Sequence, residues 1–265
     1  MPSFKKALLL LPAFLLFTLS FSPFVFGKTA LENARDDYIY QFAKYQESKA
    51  NYLQDKAAYE KFKTAISKNE AFVSTKDYLL QVSKLYSSYL LLIKESGNKI
   101  NWSGVQDQRD KTLKLVEEEL TYLSDFANKI NSAQTLEELT ALAADLSNQN
   151  KSVTLPKLYK VLSLYEIAEA KATLNYFDKT SQDVETYLNN NPSQNQSVIA
   201  NWRTEISSIK NTANSFIQRS DQVMAKTAEN TAKKNEFEEI SQRTNSAKAN
   251  LKRSKNLFEE ILRIL

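Results

Sequence analysis

Apolar residues recur three and four apart through the C-terminal third of the chain. Ile199, Trp202, Ile206, Ile209, Ala213, Phe216 and Val223 follow this rhythm, and Phe237, Ile240, Ala247, Leu251, Phe258, Ile261 and Leu265 resume it. Such spacing collects side chains on one face of an α-helix. From Ile199 to Leu265 there is no Gly or Pro to stop it. The pattern predicts one long coiled-coil helix over 193–265, with an apolar seam roughly 100 Å long if unbroken. A seam of that length needs a partner, either another segment of this chain or a second copy. Its residues, Ile199, Trp202, Ile206, Ile209, Phe216, Phe237, Ile240, Leu251, Phe258, Ile261 and Leu265, are therefore the candidate helix-partner site.

The rhythm has a fault. Core positions between the two apolar runs fall on Ser220, Thr227, Asn230 and Lys234, with Val223 the strongly apolar exception. Two successive steps of three meet at Phe237, a stammer that overwinds a coiled coil locally. Polar core positions gain little from burial while their backbone still loses entropy. Ser220–Lys234 is thus the expected soft point. A bend is the expected consequence, and a hairpin is the alternative.

Earlier segments carry the same period. Tyr38, Tyr45, Tyr52 and Tyr59 stand seven apart between Leu31 and Ile66, predicting a helix from about Ala30 to Ala65. Tyrosine buries its ring and keeps its hydroxyl at a wet edge, so this ladder reads as a docking seam rather than a polymer platform. Ser67–Thr75 reads as an irregular link. Thr75 then suits the cap of a helix reaching Ser96, and Gly97 the left-handed position after its end. Trp102 falls in the following loop, expected as a cap on the bundle end. A third helix is expected to about Ile130. Thr135 and Glu138 have capping-box spacing. Asn148–Val153 reads as a loop, and Thr154 with Pro156 as the start of a helix ending before Asn189–Pro192. The expected fold is all-α: an elongated bundle of four to five helices over 28–192, extended by the C-terminal helix.

The first residues change the picture of location. Lys5 and Lys6 precede an apolar run from Ala7 to Phe26, and Val25 and Gly27 suit the small positions before a cleavage site. Residues 1–27 are expected to be a secretory signal peptide cut after Gly27. The alternative is an uncleaved anchor at 7–26, just long enough to span a bilayer. The expected location is outside the cytoplasm: extracellular, periplasmic or at the cell surface. Removing the leader takes two Lys and no acid, lowering the formal charge from +4 to +2. So weak a basic balance gives no reason to expect a nucleic-acid partner. Lys248, Lys252, Arg253 and Lys255 form the densest basic cluster, read as a solvated helix flank. A membrane partner is expected only if the leader is kept.

The chain contains neither His nor Cys. Imidazole and thiol mechanisms, disulfides and His/Cys metal sites are therefore excluded, and no cofactor is implied. No phosphate-binding loop, dinucleotide fingerprint or nucleophile elbow occurs. Acidic neighbours such as Asp36-Asp37, Glu117-Glu118-Glu119 and Glu238-Glu239 point in different directions from a helix and read as solvating or ion-pairing groups. Asn101, Asn150 and Asn195 begin N-glycosylation patterns, all in expected loops. The reading is an exported, non-enzymatic structural, adaptor or spacer protein whose partners meet its C-terminal helix. The alternatives are a cell-envelope glycan-binding module, or a glycan or peptidoglycan hydrolase using two carboxylates from different helices across a cleft.

Overall fold

The computed structural model describes residues 28–103, 105–190 and 196–264; the leader, Asn195 and Leu265 lie outside them. The described residues form α1 (Ala30–Phe62), α2 (Ala65–Lys99), α3 (Gln106–Ser132), α4 (Leu136–Gln149), a π-helical turn (Asn150–Thr154), α5 (Leu155–Asn190), α6 (Gln196–Lys226) and α7 (Lys234–Ile264). No strand occurs among them. The chain divides into two compact units, Met1–Ser96 with Glu117–Thr154, and Gly97–Val116 with Leu155–Leu265.

In the first unit α1 opens with a capping box between Thr29 and Glu32. It closes at Lys63, whose φ of 52° turns the chain back. Thr64 and Ser67 then cap each other: Ser67 N donates to Thr64 Oγ1, and Thr64 N to Ser67 Oγ, both at 3.1 Å. This reciprocal cap starts α2 at Ala65, so the irregular link expected over 67–75 is helical. Thr75 does not cap; its hydroxyl donates back to the Ala71 carbonyl one turn earlier.

Aromatic rings hold α1 to α2. Tyr38 meets Tyr89 at 5.7 Å between ring centroids, Tyr45 meets Tyr78 at 5.7 Å, and Tyr52 stacks on Tyr78 at 4.9 Å. Residue numbers fall on α2 as they rise on α1, so the two helices are antiparallel. Tyr45, Tyr52 and Tyr78 are buried, as a docking seam requires. The Thr135–Glu138 capping box starts α4 as expected. The expected loop at Asn148–Val153 is instead helical, passing from α4 into the π-helical turn. Asn150 Nδ2 donates to the Tyr86 hydroxyl at 3.3 Å, and Thr154 Oγ1 to the buried Glu119 carboxylate at 2.6 Å.

The second unit is built on three long helices. Contacts between α5 and α7 advance together: Tyr159 with Phe237, Glu166 with Lys248, Phe177 with Phe258. Those between α5 and α6 run oppositely: Lys171 with Asp221 at 2.9 Å, Asp178 with Lys210 at 2.9 Å, Glu185 with Arg203 at 2.6 Å. Hence α5 and α7 are parallel, and α6 is antiparallel to both. Lys171, Asp178 and Glu185 stand seven apart, so one edge of α5 presents an ion pair every second turn.

The single helix expected over 193–265 is broken. Residues 227–233 are not helical, and α6 and α7 form a hairpin. No Gly or Pro ends α6. Continuing the helix would have carried Thr227 and Asn230 as core positions, with little gained in burial. The open backbone finds other partners: Lys160 Nζ donates to Thr227 Oγ1 and the Ala228 carbonyl, and Ala232 N to the Pro156 carbonyl at 2.9 Å. The phase fault at Phe237 falls in the first turn of α7, where a restarted helix resets its register.

Gly97 does not end a helix, because α2 continues to Lys99. A Cβ on Gly97 would collide with the Tyr165 hydroxyl and ring. The missing side chain lets Tyr165 cross the helix backbone. Trp102 is buried, meets Tyr165 edge-on at 5.7 Å and donates Nε1–H to the Gly97 carbonyl at 2.9 Å. It is therefore a buried contact of the second unit.

Candidate functional site

The seam residues all lie in the second unit. On α7 the positions Ile240, Thr244, Ala247, Leu251, Ser254, Phe258 and Ile261 alternate four and three apart, and every one is buried. On α6, Ile199, Ile206, Ala213 and Ile217 are buried, with Trp202, Ile209 and Phe216 packed partly buried beside them. Facing them on α5 are Ala170, Phe177, Val184 and Leu188. Phe237 stacks on Tyr159 at 5.8 Å. The chain's own helices thus occupy this seam, while Leu265 is not described.

One charged cluster lies against this core. Lys248 Nζ contacts the buried Glu166 carboxylate at 2.9 Å and Glu169 at 3.2 Å. Thr244 Oγ1 donates to the same Glu166 oxygen at 3.2 Å. Burial alone lowers the Lys248 ammonium pKa, and the two carboxylates more than reverse it. Lys248 is therefore not the solvated residue expected from its basic neighbours. Lys252, Arg253 and Lys255 are exposed as expected. The acidic neighbours also have partners: Glu117 contacts Lys94, Glu238 contacts Lys234, and Glu239 contacts Arg243.

A groove of about 640 Å³ opens along α1 and α2 in the first unit. From α1 it is lined by Lys44, Glu47, Ser48, Asn51, Gln54 and Asp55. Asn69, Glu70, Val73, Ser74, Asp77, Leu80, Gln81 and Lys84 line it from α2. Gln81 Nε2 bridges the helices, donating to the Gln41 carbonyl at 3.2 Å and to its Oε1 at 2.9 Å. Lys44 contacts Glu47 at 2.9 Å, and this contact raises the ammonium pKa. Four carboxylates thus face two ammonium groups among amides and hydroxyls. Such a lining suits a polar, hydrogen-bonding ligand better than an apolar one. It also places carboxylates from two helices on one concavity. Sequence reading missed it because four lining residues, Asn69, Glu70, Val73 and Ser74, lie in 67–75, taken as an irregular link. The Thr64-x-x-Ser67 spacing was the signal for the earlier helix start.

No group of three or more metal-ligating side chains occurs among the described residues, and none of their helices is long and apolar enough to cross a membrane. Asn101 is exposed in the segment between α2 and α3, whereas Asn150 sits in the π-helical turn with its amide on Tyr86. No family model, curated protein or solved structure matches the chain.

Proposed function

We propose that this is an exported, non-enzymatic structural or spacer protein acting through helix–helix contacts outside the cytoplasmic membrane. The observation that supports this most is the α5–α6–α7 unit. Seven successive core positions of α7 are buried, and an ion-pair ladder fixes the α5–α6 register. Close packing of this kind resists deformation, as a spacer or scaffold requires. The C-terminal seam packs against α5 inside the chain, and this supports the reading. Partners then meet the outer helix faces. The test is fractionation of cells making the full chain, together with incubation of the purified protein with isolated envelope polymer. The chain should leave the cytoplasm and release no new polymer ends. Retention in the cytoplasm would overturn the location, and polymer turnover the non-enzymatic assignment.

The α1–α2 groove favours a second reading, a module binding a hydroxyl- and amide-rich envelope polymer. Asp55 and Asp77 line it from different helices, and a carboxylate-dependent hydrolase would need such a pair facing across the bond it cleaves. Co-sedimentation with isolated polymer separates these outcomes. Binding lost in Asp55→Asn and Asp77→Asn without turnover identifies a binding module; turnover lost in both identifies a hydrolase. Absence of binding refutes the groove's role.

A further inference from the structure

Among the described residues, no element covers the face of α1 turned away from the groove. Ile39, Phe42 and Leu53 are 56%, 40% and 52% exposed. With Gln46, Ala50 and Ala57, which are also exposed, they follow helical 3-4 spacing along one stripe. The stripe carries no charge between Arg35 and Glu60. The flanking Lys49 and Lys56 lie over the rings of Tyr45 and Tyr52, each at 5.7 Å, on the α2 side of the helix. We propose that this stripe pairs antiparallel with the α1 stripe of a second copy of the chain.

The order of residues selects that occupant. A two-fold axis through Gln46 sets Ile39 opposite Leu53 of the second copy and Phe42 opposite Ala50. Isologous contacts require this kind of self-complementarity. The same axis sets Arg35 opposite Ala57 of the second copy, one turn from its Glu60, and Glu32 opposite position 60, one residue from its Lys61. Both pairs join opposite charges, and symmetry repeats each of them. A parallel pair would instead set Arg35 against Arg35 and Glu60 against Glu60. Within the chain Glu60 reaches Lys56 only at 4.0 Å. Ala43, Ala50 and Ala57 recur every seventh residue, and small side chains at a contact let helix axes approach closely. The uncharged stripe runs about 27 Å at 1.5 Å per residue. The proposal is independent of the functional reading above, since a monomer can also serve as a spacer.

The absence of cysteine makes the test direct. Gln46→Cys and Glu47→Cys are each introduced into the full chain, which is kept in mild detergent so that residues 7–26 are accommodated. Gln46→Cys should form disulfide dimers about tenfold faster than Glu47→Cys, because a disulfide needs Cα atoms within about 7 Å and only residue 46 sits on the axis. Arg35→Glu in the Gln46→Cys background should slow the cross-link, and adding Glu60→Arg should restore it. Higher salt should slow it too. All these positions are exposed, so circular dichroism should remain unchanged. Equal cross-linking of the two cysteines, no dimer, or failure of Glu60→Arg to rescue would each overturn the proposal.

Discussion

Replacing Lys248 with Met should destabilise the second unit measurably. The Glu166 side chain is only 8% exposed, and its closest cation is Lys248 at 2.9 Å. Met preserves much of the lysine stem's packing but removes the ammonium, leaving Thr244 as a neutral donor to the carboxylate. Removing one partner of a fully buried ion pair costs about 3–5 kcal/mol. The Lys248 side chain is 24% exposed and that of Glu169 37%, so water offsets part of this. We expect a loss of about 2–3 kcal/mol, discounted for screening. For a chain of this size that corresponds to a fall in Tm of about 5–10 °C. Urea unfolding followed by tryptophan fluorescence is the assay. Trp102 and Trp202 are the chain's two tryptophans and both lie in the second unit. In the wild type the folded Lys248 pKa is raised above its ordinary 10.5. Its contribution is therefore full below that pH and lost as pH rises through the folded value. Glu166→Gln combined with Lys248→Met should recover most of the loss. A single-variant cost below about 0.5 kcal/mol, the scale of an ordinary surface substitution, would refute the reasoning. So would a double variant no more stable than the single.

Gly97→Ala should cost about 1–3 kcal/mol by overpacking, because its Cβ meets Tyr165 and Leu113; the change should appear in tryptophan fluorescence and urea midpoint. Burial raises the pKa values of Tyr78 and Tyr165 and pushes that of Tyr86 to about 12. All three stay neutral in the fold, so stability should hold below pH 10, their ordinary pKa, and fall as pH rises toward 12; tyrosinate absorbance during alkaline unfolding checks this. Residue-resolved hydrogen exchange should find the 227–233 amides faster than those of Ile206–Ser220 or Ile240–Leu251, with Ala232 slower than its neighbours because it donates to Pro156. Uniform protection across the link would refute this.

Hydrophobic spacing revealed the α7 core because local period and tertiary burial agree there. Ile240, Ala247, Leu251, Phe258 and Ile261 face inward as their 3-4 steps require. The break at 227–233 was harder to see. Its cause is missing burial rather than a Gly or Pro, and Lys160, which stabilises the open turn, lies 67 residues before Thr227. The start of α2 was hidden differently: the polar run Ser67-Lys68-Asn69-Glu70 resembles a loop until the Thr64–Ser67 cap is counted. The groove needed both helices. Ser48 and Asp55 were recognisable as polar interruptions of the tyrosine seam, but Asn69, Glu70, Val73 and Ser74 of the α2 wall lay in a segment with no assigned direction.

The α5–α6 ion-pair ladder also sets an order of folding. Glu185 and Arg203 are 18 residues apart in the chain, while Lys171 and Asp221 enclose a much longer stretch. Closing the shorter loop costs about 0.9 kcal/mol less, from the logarithmic dependence on length. Once the inner rung forms, each later rung closes only a short additional segment. Pairing should therefore start beside the 191–195 junction and advance toward Lys171 like a zipper. Substitutions near Glu185 and Arg203 should mainly slow folding, whereas those near Lys171 and Asp221 should mainly speed unfolding.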